Sequence, residues 1–580
     1  MEKETLILLL NRIGEMLEIL GENPFKSRSY YNAARIIEGI TEDIKKITEE
    51  KRWGEYKGIG EGLAEKITEF IETGQISYYD ELHKKVPDDI LEMLSIPGLG
   101  PKKISVLVKE LDITSIRRLE RACREDKLIG IKGFGVKTQE NILKGIEFKQ
   151  KSGERHLLNV GLVNASRLFE YFREEKSIQK IEIAGSLRRF RETIKDIDIL
   201  VQTDKPEKVT ELFIEYPEVT EVIAHGPTKS SIRLKDGLSA DLRVIKEDEF
   251  PFALHYFTGS KEHNIAMRSR AKEFGLKLNE YGLFDNEGKK VHCKSEEEIF
   301  KKLKLSYIPP ELRENFGELE AAEKNEIPDL IKDEDLKGIV HVHSTYSDGL
   351  NTIQEMAEAS ISLGYSYIVF CDHSKTAFYA NGLSEERVLQ QFDEIDRVNG
   401  LFLNKNFRIF KGIESDILPD GRLDYADEFL DKFDLVVGSV HSSFKLSEEV
   451  MTERVVKALR NPYLTVLGHP TGRLLLSRDA YKINLERVVE VAGEENVLIE
   501  INSNPHRLDL DWRFCRLARE KGVQIMICPD AHRVEGIADV KYGLGIARKG
   551  WLTARDVVNT LALNEFEGFL RENKRKRLNK

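Results

Sequence analysis

Asp196 and Asp198 stand one residue apart in GSLRRFRETIKDIDILV, Gly185 to Val201, just after three arginines. The aliphatic IDILV reads as a strand, where residues i and i+2 share a face, so both carboxylates aim at one place. Unpaired like charges that close raise each other's pKa and call for a cation between them. A hard divalent cation suits oxygen ligands and keeps bound waters for exchange with phosphates. Gly185-Ser186 follow the apolar IEIA and read as a strand-to-helix turn. Its bare N–H groups, with Ser186 and Arg189, suit a triphosphate. Two-metal phosphoryl transfer needs a further carboxylate from another strand, and Asp241 lies in the middle of the downstream run SADLRVI.

A second set of reactive side chains lies in the carboxy-terminal part. KGIVHVHSTYSDG holds His341, His343 and Asp348, and YIVFCDHS holds His373. Glu414, His441 and His469 follow in FKGIESDI, LVVGSVHSSF and TVLGHPTG, and Asp530 and His532 in IMICPDAHRV. Each follows a short hydrophobic strand, and helical patterns separate the strands. That rhythm predicts an α/β barrel with its site at the carboxyl ends of the strands. His341 and His343, at i and i+2, should share a strand face. Imidazole suits zinc, manganese and iron, and bridging carboxylates let two or three ions sit close together and clamp a phosphate.

These centres need a frame of several domains, and 580 residues allow three to five. Hydrophobic residues at 41% and charged residues at 33% describe an ordinary globular protein. No apolar run approaches a membrane span, and no signal peptide opens the sequence. Five scattered cysteines without a C-x-x-C make a disulfide scaffold unexpected and fit the cytoplasm. The net charge of −11 does not exclude nucleic acid, because binding depends on local patches. A monomer is expected.

The first third shows caps and helical spacing, with three glycine turns: KGIGEGLAEKI (Gly58, Gly60), IPGLGPKKISVL (Gly98, Gly100, Lys102) and IKGFGVKTQENIL (Gly133, Gly135). Each G-x-G opens a helix and points free N–H groups where a phosphate is stabilised. These turns resemble helix-hairpin-helix elements, which grip the DNA backbone without reading sequence.

The order GS…DID…DLR…YFTGS…N…NEYG resembles the nucleotidyltransferase core of the beta-type, family X DNA polymerases. By that resemblance Asp196, Asp198 and Asp241 bind two Mg²⁺ or Mn²⁺ ions, and Gly185, Ser186 and Arg189 hold the triphosphate. Tyr256, Phe257 and Gly259 would line the sugar and base pocket, with Asn264 at the base edge. Lys66 falls where that family's Schiff-base lysine lies. The carboxy-terminal set resembles the PHP (polymerase and histidinol phosphatase) phosphoesterase domain, which implies two to three Mn²⁺ or Zn²⁺ ions.

The implied fold is multidomain. A helical lyase-like domain (1–85) and a helical fingers-like domain (86–150) precede an α+β palm (151–248) and thumb (249–316). The segment 317–336, charged and proline-punctuated, reads as a linker, 337–570 as a distorted α/β barrel, and the basic 571–580 as a frayed tail. The implied function is DNA-directed gap filling in repair, using dNTPs on gapped or primer-template DNA. A 3′–5′ exonuclease would accompany it, with abasic-site endonuclease or 3′-phosphatase activity as further options. Two other readings stand beside it. A template-independent nucleotidyltransferase with a fused phosphatase would not need three DNA-gripping hairpins. A repair scaffold with silent centres would lack a metal ligand.

Overall fold

Helix Glu2–Leu20 buries Leu6, Leu10, Ile13 and Leu17 completely. That i, i+4, i+7, i+11 stripe explains why the amino-terminal third is helical: each helix hides one apolar face against its neighbours. The computed structural model describes residues 2–40, 42, 44–96, 98–152 and 155–579, and divides the chain into two units, Met1–Gly153 and Glu154–Lys580.

In the first unit the three glycine turns share one geometry. Gly58, Gly98 and Gly133 have φ of +111°, +85° and +93°, a region L residues avoid. The second glycine starts the next helix. Gly60 and Gly100 cap Glu61–Thr73 and Pro101–Leu111 without a side-chain hydrogen bond, and the Gly135 carbonyl accepts from Thr138 at 2.9 Å. A Cβ at Gly60, Gly100 or Gly135 would meet nothing within 4 Å, so each turn is open on its outer side.

The second unit begins with a five-stranded sheet. Its order is Ile178–Ile183, Asp196–Thr203, Ser239–Ile245, Lys229–Leu234, Val219–His225, with only the second and third strands parallel. Ile197 and Ile199 are fully buried, which turns the alternate residues Asp196 and Asp198 to the opposite face. Helix Phe250–Thr258 covers Leu200 and Ala184.

The segment 317–336, read above as a linker, is instead built into the fold. Residues Glu318–Lys324 form a helix, and Leu330, Ile331 and Leu336 are buried. Glu318 is fully buried, accepting from the amides of Asn315 at 2.9 Å and Phe316 at 2.6 Å and lying 2.8 Å from His263 Nδ1. One charge that suggests solvent, Glu318, is thus satisfied inside the fold, in part by a histidine 55 residues away in sequence.

The carboxy-terminal part is a seven-stranded parallel sheet: Gly338–Val342, Tyr367–Phe370, Arg408–Asp416, Leu435–Ser439, Val466–Leu467, Leu498–Asn502 and Ile525–Cys528, paired in chain order. Val342 bridges Ala531 in parallel, and the His343 amide donates to the Ala531 carbonyl at 2.9 Å, which nearly closes a barrel. Of the segment 571–580, read above as a frayed tail, the residues through Leu578 continue helix Leu563–Leu578, and 580 lies outside the described residues. Arg577 is buried and donates to the Leu459 carbonyl at 2.8 Å and the Glu495 carbonyl at 3.0 Å, so the carboxyl ends of helices Glu448–Leu459 and Leu485–Glu495 capture the basic side chain.

The barrel packs on the turn after Gly185-Ser186. Lys549, fully buried at the end of helix Val540–Lys549, pairs with Glu314 at 2.6 Å and donates to the Arg189 carbonyl at 3.0 Å and the Glu311 carbonyl at 3.2 Å. Burial pushes its amine down to about 8, against the pull of Glu314. Arg473 pairs with Glu192 at 2.8 Å. The Phe190 ring lies on Gly545, where a Cβ would come within 1.9 Å of it.

Candidate active sites

In the palm, parallel pairing sets Asp198 directly beside Asp241 on the neighbouring strand, with Asp196 two residues away on the same face. Gly185, at φ +64°, begins the short helix Gly185–Arg188, and a Cβ there would lie 2.1 Å from Asp198 Oδ2. A side chain at 185 would displace that carboxylate. The three acids are under-compensated. Burial, then Asp196 and Asp241, push Asp198 up to about 7. Burial and Asp241 raise Asp196 as well. Lys229 Nζ, 2.9 Å from Asp241 Oδ2, offsets part of this charge. Acids that repel each other at the edge of a cavity fit the binding of divalent cations.

That cavity, about 360 Å³, is lined by Gly185, Ser186, Arg189, Asp196, Asp198, Tyr256, Phe257, Gly259 and Asn264, with Lys261 and Arg268. Nearly all the expected palm residues therefore meet at one place, and Asp241 joins them by register. Asn264 Nδ2 donates to the Tyr256 carbonyl at 2.7 Å, and the Arg243 guanidinium lies 4.3 Å from the Phe257 ring centre. Arg189 has a second allegiance: it donates to the Thr258 carbonyl and to Glu314 at 3.1 Å.

In the barrel, the nine expected side chains gather at one rim, and eight of them form three groups with ligand atoms within 4.8 Å of one another. One holds His343, Asp348, His373 and His532; another His341, His343 and Asp530; the third His373, Glu414 and His441. His469 Nε2 joins at 2.9 Å from Glu414 Oε1 and 3.3 Å from His441 Nε2. Both ring nitrogens of His343 are buried without a hydrogen-bond partner. Orphaned imidazole nitrogens around buried carboxylates are a donor set for metal ions.

Electrostatics differ sharply across this cluster. Burial, with His532 and His373 beside it, holds His343 down to about 3, so it stays neutral and ready to ligate. Against their burial, carboxylates hold His441 up to about 9 through Glu414, and His532 up to about 9 through Asp348.

His341 and His343 reach the centre by a different route from the regular pleat expected. The pairing register shifts between Val340 and Val342, and His341 has φ +65°. Such a bulge re-aims one side chain. Asp530, at φ +52°, is also held in the left-handed region, as strained backbone at binding sites often is.

Two carboxylates escaped sequence reasoning. Glu500 Oε1 lies 2.5 Å from His341 Nδ1, and its Oε2 accepts the His469 amide; Asp416 Oδ1 lies 2.6 Å from His441 Nδ1. They orient ligating rings from behind. Both lie in apolar strands, Asp416 at the end of Arg408–Asp416 and Glu500 in the middle of Leu498–Asn502, and only the first shares the strand-end signal that marks the ligands.

In the first unit, Lys102 is exposed beside its turn. Lys66 is half-buried, with Nζ donating to the Gly62 carbonyl at 3.0 Å and 5.3 Å from the Tyr78 ring centre.

Family models match in four places: a helix-hairpin-helix domain at residues 1–76, a SAM-like helix-hairpin-helix tandem at 90–147, the DNA polymerase beta thumb at 253–314, and the PHP domain at 340–504. The DNA polymerase/3′-5′ exonuclease PolX of Bacillus subtilis (strain 168) is 42% identical over 576 residues, covering 99% of this chain and 100% of that protein. A probable phosphatase of Thermoanaerobacter sp. (strain X514) is 29% identical over 248 residues, 41% of this chain and 95% of its own length. No helix among the described residues is long and apolar enough to cross a membrane. With likeness over its whole length, hairpin, thumb and barrel models in order, and two acid-rich centres, this chain belongs to the family X DNA polymerases that carry a PHP domain.

Proposed function

We propose that this chain is a DNA polymerase and 3′–5′ exonuclease that fills short gaps in DNA repair. The observation that carries the polymerase half is the register setting Asp198 beside Asp241 at the edge of the cavity. Mg²⁺ or Mn²⁺ held by Asp196, Asp198 and Asp241 would supply the charge that offsets the triphosphate and acidifies the primer 3′-OH. Ser186 and the N–H groups of the Gly185 turn hold triphosphate oxygens. Tyr256, Phe257 and Gly259 form the wall for sugar and base, and Asn264 orients the base edge. Arg189 exchanges its Glu314 contact for phosphate as the nucleotide enters.

In the barrel, the nine His, Asp and Glu residues would hold two to three Mn²⁺ or Zn²⁺ ions, which would supply an activated water for phosphodiester cleavage. Glu500 and Asp416 keep the His341 and His441 rings aimed inward. The open glycine turns at Gly58-Gly60, Gly98-Gly100 and Gly133-Gly135, with Lys102, hold the DNA backbone. They favour a DNA substrate over a template-independent nucleotidyltransferase. Lys66 serves as a Schiff-base nucleophile only if borohydride traps the protein on a 5′-deoxyribose-phosphate end and Lys66→Ala abolishes that trapping.

Primer extension on gapped DNA tests the polymerase reading. Asp241→Ala abolishes extension and leaves DNA binding near that of the parent. Extension within about tenfold of the parent refutes the assignment.

A further inference from the structure

Phe378 is 87% exposed, the highest value for a large hydrophobic side chain among the described residues, and its neighbour Tyr379 is 72% exposed. They project from a tight turn, Phe378–Ala380, in the loop after the ligand His373. The turn is pinned on both sides. Ala377 and Ala380 are buried. Asn381 Nδ2 donates to the Tyr346 carbonyl at 3.1 Å and the Ser347 carbonyl at 3.3 Å, and Arg387 donates to the Asn381 carbonyl at 2.8 Å. At Gly382 a Cβ would lie 1.9 Å from the Ser374 carbonyl oxygen, so the loop passes too close to its base for any other residue.

The scaffold therefore holds two aromatic rings in water at a fixed place. That place is the mouth of the barrel centre: the Tyr379 ring centre lies 6.2 Å from that of His373 and 6.4 Å from that of His441. The Arg507 guanidinium adds positive charge nearby, 3.4 Å from Asp530. An exposed aromatic pair on a rigid turn marks a binding surface. Every nucleobase offers a flat face to such rings, and stacking tolerates any sequence.

Resting on the exonuclease reading above, we propose that Phe378 and Tyr379 form a stacking platform for the unpaired 3′-terminal base, presenting the last phosphodiester to the barrel centre. A paired end keeps its terminal base stacked on its own neighbour and gains less from the platform. The pair thereby selects single-stranded 3′ ends.

The test uses the full chain with Mn²⁺ and a single-stranded oligonucleotide carrying 2-aminopurine at its 3′ end, next to a phosphorothioate that slows cleavage. Binding quenches the fluorescence in the parent. Phe378→Ala with Tyr379→Ala weakens the quenching titration and raises KM for a 3′ single-stranded end by about tenfold, and Phe378→Tyr with Tyr379→Phe restores both. Cleavage of an oligonucleotide whose 3′-terminal residue is a tetrahydrofuran abasic analogue, which offers no ring to stack, is unchanged. Equal quenching and KM in the double alanine variant overturn the proposal, as does loss of cleavage at the abasic end in it. A parent that quenches but hydrolyses neither substrate supports the platform and overturns the exonuclease reading instead.

Discussion

Asp198→Asn should stabilise the metal-free protein while removing its polymerase activity. Burial and two neighbouring carboxylates push Asp198 from an ordinary 3.8 up to about 7. Between those values the folded chain holds a proton that the unfolded chain has released, so stability falls as pH rises through that window. Each decade of proton affinity corresponds to about 1.4 kcal/mol. Holding the carboxylate charged at pH 8 therefore costs the metal-free fold up to about 4 kcal/mol, and at pH 5 only about 1.6 kcal/mol. Asparagine keeps the shape and carries no charge. Thermal melts in chelator should show the variant above the parent at pH 8, with a smaller gap at pH 5. With ample Mg²⁺ the order should reverse, because the parent gains binding energy that the variant cannot. A variant that melts at or below the parent at pH 8 without metal would refute the view that these acids are mutually strained.

Other outcomes follow from the same geometry. Gly60→Val, Gly100→Val and Gly135→Val combined fit the protein, since nothing lies within 4 Å of those positions, but cover the helix starts. The melt should stay unchanged while the Kd for gapped DNA rises about tenfold or more and its salt dependence flattens, read by fluorescence anisotropy. His343→Ala, which removes a ring with two orphaned nitrogens, should cut 3′ single-strand degradation about 100-fold or more and lower bound Mn²⁺ measured by metal analysis. Lys549→Met leaves Glu314 free to hold Arg189 more tightly. It should destabilise the second unit by about 3 kcal/mol and raise KM for dNTPs in primer extension, with a smaller effect on the exonuclease.

The chemistry was legible where it is local. The spacing of Asp196 and Asp198 and the histidines after short apolar strands depend only on strand alternation, and they mark both centres. The glycine turns were legible for the same reason. What could not be read depends on partners far along the chain. Arg189 looks free for phosphate, yet Glu314 lies 125 residues away in sequence. Glu318 looks solvated until His263, 55 residues away in sequence, meets it, and Arg577 until the Leu459 and Glu495 carbonyls receive it. The bulge at His341 leaves no mark in composition, because the residue it re-aims would have been a histidine on a regular strand too.

The seam at Phe190 and Lys549 limits how this chain can be recombined. A barrel taken from another protein, joined anywhere in 317–336, would have to bring a glycine to receive the Phe190 ring and an amine to meet Glu314. Without both, the graft would open a gap behind the turn that begins at Gly185. The two catalytic halves are therefore not interchangeable cassettes, and variation at position 190 must be matched by variation at 545.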